Sequence, residues 1–212
     1  MRLDALTGDL APFGLMVMGH LPHPDDAAQS IILVGADCDF WAVFTNSPEY
    51  TDGAADPIDR FSKRVLNDMA RALHGRCEFP SDGPPYAPFI SWARASGQFW
   101  QSPTGMLVHG HAGLMISIRG ALIVPQVLPA IAPQDSPCTR CDLQPCVNAC
   151  PVNALSDQHF YDVPTCKAHI ASAAGKTCMT DGCATRLACP ISQSFDRPSE
   201  QSAFHMRSFA GV

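Results

Sequence analysis

Charge is scarce in this 212-residue sequence: 16% of it is Asp, Glu, Lys or Arg. The net charge is −6 and no block of Lys or Arg occurs, which argues against a sequence-independent nucleic-acid surface. Long apolar runs are also missing. Leu114–Val124 is interrupted by Arg119 and falls well short of the ~20 residues that cross a bilayer. No membrane partner is expected. The opening Met1-Arg2-Leu3-Asp4 carries an early acid and no apolar stretch with a cleavage site, so a secretory signal is not expected. Gly-x-Gly-x-x-Gly, P-loop and Gly-x-Ser-x-Gly patterns are absent, which removes the usual nucleotide and hydrolase signatures. At 22.8 kDa the chain can bury a core without disulfide staples, in one or two domains.

Cysteine, by contrast, is abundant and uneven. Of ten cysteines, Cys38 and Cys77 stand alone and eight fall between Cys138 and Cys189. That density without a secretory signal points to metal rather than disulfides. The first four read Cys138-x2-Cys141-x4-Cys146-x3-Cys150-Pro151. The bacterial ferredoxin run is C-x2-C-x2-C-x3-C-P, whose fourth cysteine serves a second cluster. Two extra residues between Cys141 and Cys146 only bulge the loop. After Cys150, proline turns the chain away and small Ala154 permits close approach. A looser set follows, Cys166 and then Cys178-x4-Cys183-x5-Cys189-Pro190. If the two halves exchange their final cysteine as two-cluster ferredoxins do, Cys138, Cys141, Cys146 and Cys189 hold one 4Fe–4S cluster. Cys150, Cys166, Cys178 and Cys183 then hold another. Three alternatives stay open: one cluster with four unrelated cysteines, two structural zinc sites, and a disulfide framework. Zinc usually takes paired C-x2-4-C knuckles, which only Cys138/Cys141 and Cys178/Cys183 resemble. Cys38 and Cys77 read as buried small hydrophobes.

The organisation is read as residues 1–125, an α+β domain with a pocket for cofactor or substrate; a proline-rich connector at 126–137; an iron–sulfur module at 138–195; and a tail at 196–212. Prolines 125, 129, 133 and 137 bar both helix and central strand from the connector. Gly14–Met18 and Ser30–Gly35 read as buried strands. Asp56-Pro57 opens a helix, Asp56 as its cap and Pro57 in the first turn, with an apolar face at Ile58, Phe61, Val65, Leu66, Met69 and Leu73 and Gly75 as the stop. Pro88–Ala93 begins a shorter helix that ends near Gly97. Met106–His109 and Leu114–Val124 read as strands, with a bulge at Arg119-Gly120. Phe79–Pro88 reads as a proline-ordered surface loop or a pocket wall. His20–Asp26 reads as a solvated loop despite its potential ligands, because Pro22 and Pro24 break regular geometry. Trp92, Phe99 and Trp100 read as core rather than as walls for a planar cofactor. Gln201–Met206 is read as folding back over a cluster or docking on the core.

The segment Gly110–Val124, followed by a proline-rich connector and the cysteine run, resembles epoxyqueuosine reductase and the related reductive dehalogenases. The step from Cys150 to Cys166 and the closing Gly182-Cys183…Cys189-Pro190 are similar to that family's second cluster. The resemblance implies a nitroreductase-like, cobalamin-binding domain followed by a small two-cluster ferredoxin-like module. His109 with Ile118–Pro125 is also similar to a segment of cblC-type cobalamin-processing proteins, which implies His109 and Arg119 as residues facing a corrinoid. The chain lacks the helical-repeat tail that grips tRNA in epoxyqueuosine reductase, so that activity is not expected. The functional expectation is an oxidoreductase relaying single electrons from a redox donor protein through two 4Fe–4S clusters to a corrinoid. The alternative is a ferredoxin-type carrier whose first domain docks a partner. Oxygen-labile clusters make a cytoplasmic location the consistent expectation.

Overall fold

The computed structural model describes residues 3–132, 134–159 and 161–212. Pro133 of the expected connector, and Met1 and Arg2 of the opening segment, lie outside the described residues. The first half contains α1 (Leu3–Leu10), β1 (Leu15–His23), β2 (Asp26–Ala36), α2 (Phe40–Phe44), α3 (Pro48–Thr51), α4 (Pro57–Ala72), β3 (Arg76–Glu78) and α5 (Phe89–Ala95). Then come β4 (Phe99–Gln101), β5 (Leu107–His109), β6 (Ile118–Val124), α6 (Val163–Ile170), α7 (Lys176–Thr180), α8 (Ala184–Leu187), α9 (Pro190–Phe195) and α10 (Ser199–Ala210). This is a mixed α+β chain. Among the described residues no helix is long and apolar enough to cross a membrane.

Two compact units are formed, Met1–Phe99 with Ser117–Gln134 and Trp100–Ile116 with Asp135–Val212. The first is built on a four-stranded sheet in the order β1-β2-β6-β3 with every pairing antiparallel. Strand β2 is buried from Ser30 to Ala36 and β6 from Gly120 to Val124, as continuous apolar runs at central positions require. Along β6 the register passes from Val34↔Gly120 to Gly35↔Ile118, so Arg119 is the extra residue of a bulge, where the sequence suggests one. Strand β1 accommodates Pro22 because it lies at the sheet edge. His20–Asp26 is thus the end of a hairpin and not a free loop: His20 is buried and its Nε2 donates to the Pro129 carbonyl at 2.8 Å.

Helix α4 buries Ile58, Phe61, Ser62, Val65, Leu66 and Ala70, the three-and-four spacing of a core-facing stripe. Its start corrects the expected side-chain cap. Asp56 has φ +51° and its carboxylate caps nothing; instead the Arg60 guanidinium donates to the Ala55, Glu49 and Ala54 carbonyls and to Asp52. At the far end His74 takes the left-handed conformation, φ +55°, and Gly75 N–H bonds back to Ala70 O at 2.8 Å, closing the helix as a Schellman motif. Phe40, Phe44 and Phe61 are fully buried with their rings 5.3–5.7 Å apart. Trp92 and Phe99 are core residues, as expected. The Phe79–Pro88 segment is mostly exposed between Pro80 and Tyr86, tied by the Lys63–Asp82 pair at 2.5 Å. Residues 125–132 and 134–136 form neither helix nor strand, and Leu128 N–H donates to the buried Ser30 hydroxyl at 2.9 Å.

The second unit carries the β4–β5 ribbon, a run of single-turn helices, and α6 to α10. Leu114–Ser117 is not strand, which corrects the expected Leu114 start of β6. At Leu114 and Met115 side chains take backbone groups: Leu114 N–H goes to the Ser192 hydroxyl at 2.8 Å, and the Leu114 and Met115 carbonyls to Arg186 and Arg197, while Met115 N–H turns back to Ala112 O at 2.9 Å. Leu114 and Met115, satisfied this way, have nothing left to offer a sheet ladder, and contact with β2 begins only at Ser117, whose carbonyl accepts from Ala36 N–H at 2.9 Å.

Candidate metal centres

Within the second unit, tight turns present the first cysteines. Ser136 caps a 3₁₀ turn over Pro137–Arg140, its hydroxyl accepting from Cys138 N–H at 3.3 Å. Cys141 closes that turn through its N–H to Cys138 O at 3.2 Å. The chain then reverses at Gln144, φ +38°, into a second 3₁₀ turn, Pro145–Val147, that carries Cys146. The two extra residues of the spacer, Asp142 and Leu143, project outward, Leu143 being 89% exposed. The longer loop is a surface bulge. Cys189 stands at the N-cap of α9, immediately before Pro190.

These four thiols, Cys138, Cys141, Cys146 and Cys189, line one cavity of about 190 Å³. Its walls include Val108, Leu114 and Ile191, with Arg140 among its lining. Cys146 and Cys189 are buried in an apolar cluster with Val108 and Leu114. Burial pushes the Cys138 and Cys146 thiols up from their ordinary range, and the neighbouring sulfurs push the same way: Cys189 and Cys141 on Cys138, and Cys189, Cys138 and Cys141 on Cys146. Four thiolates sharing a cavity repel one another unless a cationic centre lies among them.

The other four gather separately. Cys150 accepts at its sulfur from Ala154 N–H at 3.2 Å, with Asn153 at φ +53° completing that turn. Cys166 lies on α6, whose N-cap Asp162 accepts from Thr165 N–H at 3.0 Å. Cys178 lies on α7 and Cys183 is the N-cap of α8. Burial again raises Cys166 and Cys178; Cys183 and Cys150 add to the rise at Cys166, and Cys183, Cys150 and Cys166 at Cys178. Helix α10 packs on α7. Gly182, at φ +108°, admits no side chain, because a Cβ there would lie 2.7 Å from Ser202 Cβ.

The donor set suits a thiophilic metal group. Eight thiols divide into two groups of four soft ligands, and the first group surrounds a volume many times the ~10–15 Å³ that one water needs. Buried polar donors on the elements around the second group also lack protein partners: Thr185 Oγ1, Ser202 Oγ and the Gln201 amide nitrogen. A group rich in sulfur acceptors is one that such hydroxyl and amide donors can satisfy. Among the described residues no three His, Cys, Asp or Glu side chains converge to hold a single ion.

The remaining candidates lie elsewhere. His109 belongs to the second unit and Arg119 to the first. His109 is 4% exposed and its Nδ1 accepts from the N–H groups of His111 and Ala112 at 3.2 and 3.1 Å. That places the ring proton on Nε2 and makes the imidazole the organiser of the 109–113 turn. Arg119 faces Asp59 at 3.5 Å and bonds the Ile118 carbonyl; desolvation lowers the guanidinium's proton affinity while Asp59 raises it. Cys77 is half-buried with its thiol pushed up to about 12 by desolvation, and Cys38 is raised by burial and by Asp37 and Asp39. Neither is an activated thiol. Two features near the cysteines carry no sequence signal: Tyr161, whose phenol is pushed up from its ordinary range by burial and by the neighbouring Cys166, and Ser192. No protein-family model and no curated protein matches this chain.

Proposed function

We propose that this protein is an iron–sulfur electron-transfer protein with two 4Fe–4S clusters, one on Cys138, Cys141, Cys146 and Cys189 and one on Cys150, Cys166, Cys178 and Cys183. The observation that carries the reading is the sorting of eight thiols into two interacting groups of four, one of them around an apolar cavity. The sorting interleaves the chain: Cys150 leaves its sequence neighbours and Cys189 joins them. Bound clusters supply reversible one-electron storage, at potentials set by hydrogen bonds, charge and water access.

The residues of this chain do the rest. Val108, Leu114 and Ile191 keep water from the first site. The Ser136 cap and the 3₁₀ turns fix where Cys138, Cys141 and Cys146 point. The second unit's six basic and six acidic residues beyond Pro137 leave its net charge near zero, so docking of a redox donor protein does not rest on a strong field. The acceptor class is a corrinoid, and its support is the likeness to cobalamin-dependent reductases. In finer terms we read the first unit as nitroreductase-like and the second as ferredoxin-like.

Anaerobically purified protein is expected to contain about eight iron and eight sulfide per chain, from two four-iron clusters. Zinc without labile sulfide would falsify the reading. On mixing the dithionite-reduced protein with cob(II)alamin, cluster absorbance is expected to recover as the corrin is reduced. Clusters that stay reduced, with an unchanged corrin spectrum, eliminate the corrinoid and leave a carrier for a protein partner.

A further inference from the structure

We propose that Ser202 and Thr185 belong to the second metal site as hydrogen-bond donors to its sulfur-rich group, and that filling the site docks α10 over it. The proposal rests on the two-cluster reading above and deepens it. Helix α10 meets the segments that carry three of the four ligands. It packs on α7, which bears Cys178. Ser202 sits against Gly182, the residue before Cys183: a Cβ on Gly182 would lie 2.7 Å from Ser202 Cβ and 3.3 Å from its Oγ. Phe209 stacks on Tyr161 at 6.3 Å and 20°, and Lys167, next to Cys166, places its ammonium 5.3 Å from the centre of the Phe209 ring. The fourth ligand is tied in through the backbone. Ala154 N–H donates to the Cys150 sulfur, and Ala154 O accepts from Asp162 N–H at 2.9 Å, at the head of α6.

Apolar burial does not account for this docking. The buried residues of α10 are Gln201, Ser202 and Ala203, which remove far less hydrocarbon from water than a stripe of Leu and Ile would. The Ser202 hydroxyl and the Gln201 amide nitrogen find no partner among the described residues. Neither does the hydroxyl of Thr185, on α8, whose N-cap is Cys183. Thr185 is 0% exposed, Gln201 1% and Ser202 5%. A donor buried without an acceptor opposes folding by its full desolvation cost, and such donors are rare in native interiors. Thiolates and inorganic sulfides are acceptors that satisfy them. Sulfur offers nothing to the Gln201 oxygen, also unpartnered, so the discriminating donors are the two hydroxyls.

A group that binds only beneath a docked α10 stabilises the docked helix, and by reciprocity the docked helix retains the group. With the site filled, each hydroxyl is bonded and its removal loosens the helix. With the site empty, each is a buried donor without an acceptor, and its removal tightens the helix. Packing alone would move both states in the same direction.

The test is amide hydrogen exchange across α10 in full-length, anaerobically prepared protein. Cys150→Ser empties the second site through the ligand most distant in sequence from α10, and Cys141→Ser empties the first. Exchange in α10 is expected to quicken by on the order of tenfold in Cys150→Ser and to keep the wild-type rate in Cys141→Ser. Equal protection in the two overturns the proposal. Adding Ser202→Ala or Thr185→Val to Cys150→Ser is expected to slow the exchange again. In filled protein the same substitutions quicken it and release about four of the roughly eight irons several-fold sooner to a chelator. A change of one sign in both backgrounds, as packing or a buried water would give, overturns the proposal, and so does no change in either. If Cys150→Ser does not fold, iron release decides: loss from Ser202→Ala no faster than from wild type overturns it. Wild-type protein without iron and sulfide sinks the two-cluster reading itself. Filled protein whose α10 is indifferent to the second site sinks only the linkage.

Discussion

A single absent Cβ holds the 109–113 turn against α9. Gly113 has φ +58°, and a Cβ there would lie 2.5 Å from the Ser192 backbone nitrogen. Its neighbour Leu114 is 1% exposed and gives its N–H to the Ser192 hydroxyl. The left-handed conformation alone costs an L-residue roughly 1–2 kcal/mol, and the clash adds to it. Gly113→Ala is therefore expected to lower the unfolding midpoint in denaturant. Ser192→Ala, which leaves a buried N–H unpaired, is expected to cost about 1–3 kcal/mol. Because both changes act on one contact, their double variant should lose less than the sum; full additivity would mean that the two residues act separately. At the other end of the chain Glu49 is buried with both carboxylate oxygens on Arg64, at 2.5 and 3.0 Å. Hydrogen bonding from Arg64 holds its carboxyl below the ordinary range. The stability this gives is fully present above the unfolded value of about 4.3 and is lost as pH falls through the lower, folded value. Acid unfolding of Glu49→Gln is thus expected to depend less steeply on pH below about 4.3. An acid limb as steep as wild type's would mean the pair carries no such linkage.

Elements built from local signals were the legible ones. Helix α4 could be read from its apolar spacing, β2 from its continuous hydrophobic run, and the bulge at Arg119 from an Arg-Gly pair inside a strand. The cysteine spacings were equally open to reading, because such turns are set by neighbours a few residues away. What the sequence concealed is long-range. Leu114–Ser117 looks like strand, yet Ser192, Arg186 and Arg197, more than seventy residues on, take the hydrogen bonds of Leu114 and Met115. Asp56 looks like a cap, but the Arg60 side chain occupies the carbonyls before it. Prolines 22 and 24 suggest a loop, and Pro24 does lie in the hairpin turn, but Pro22 lies in edge strand β1, and an edge position, where proline is tolerated, is a property of the whole sheet. Tyr161 had no signal at all, since nothing local marks a phenol whose ring stacks on Phe209, forty-eight residues later. Helix α6 offers a test at this scale. Asp162 caps it with hydrogen bonds from Thr165 N–H and Oγ1, and those bonds hold its carboxylate below the usual range. Asp162→Ala is expected to reduce iron retention at the second site, because the frayed turn carries Cys166. Asp162→Asn keeps the cap and should retain it. Equal iron loss in both variants would mean that the charge, and not the cap, is what matters.

At the level of the whole molecule, the order of the cysteines in the chain and their grouping in space disagree, and that disagreement can be measured. If ligands followed sequence, Cys138, Cys141, Cys146 and Cys150 would form one set and Cys166, Cys178, Cys183 and Cys189 the other. The spatial groups exchange Cys150 and Cys189, so each site ties together segments about fifty and thirty-three residues apart, and filling either one closes a loop through the other. Pairwise serine variants separate the two schemes, because removing a second ligand from a site already lost costs nothing further, whereas removing one from each site loses both. Under the exchanged grouping, Cys141→Ser with Cys189→Ser is expected to keep about four iron and four sulfide per chain, as each single variant does. Cys150→Ser with Cys189→Ser should keep almost none. Sequential ligation predicts the opposite for the first pair, which would then strike both sites and leave the protein without iron. Iron counts that follow the sequential order would remove the interleaving of the two halves, and with it the reason why Cys189, at the head of α9, stands in an apolar cluster with Cys146.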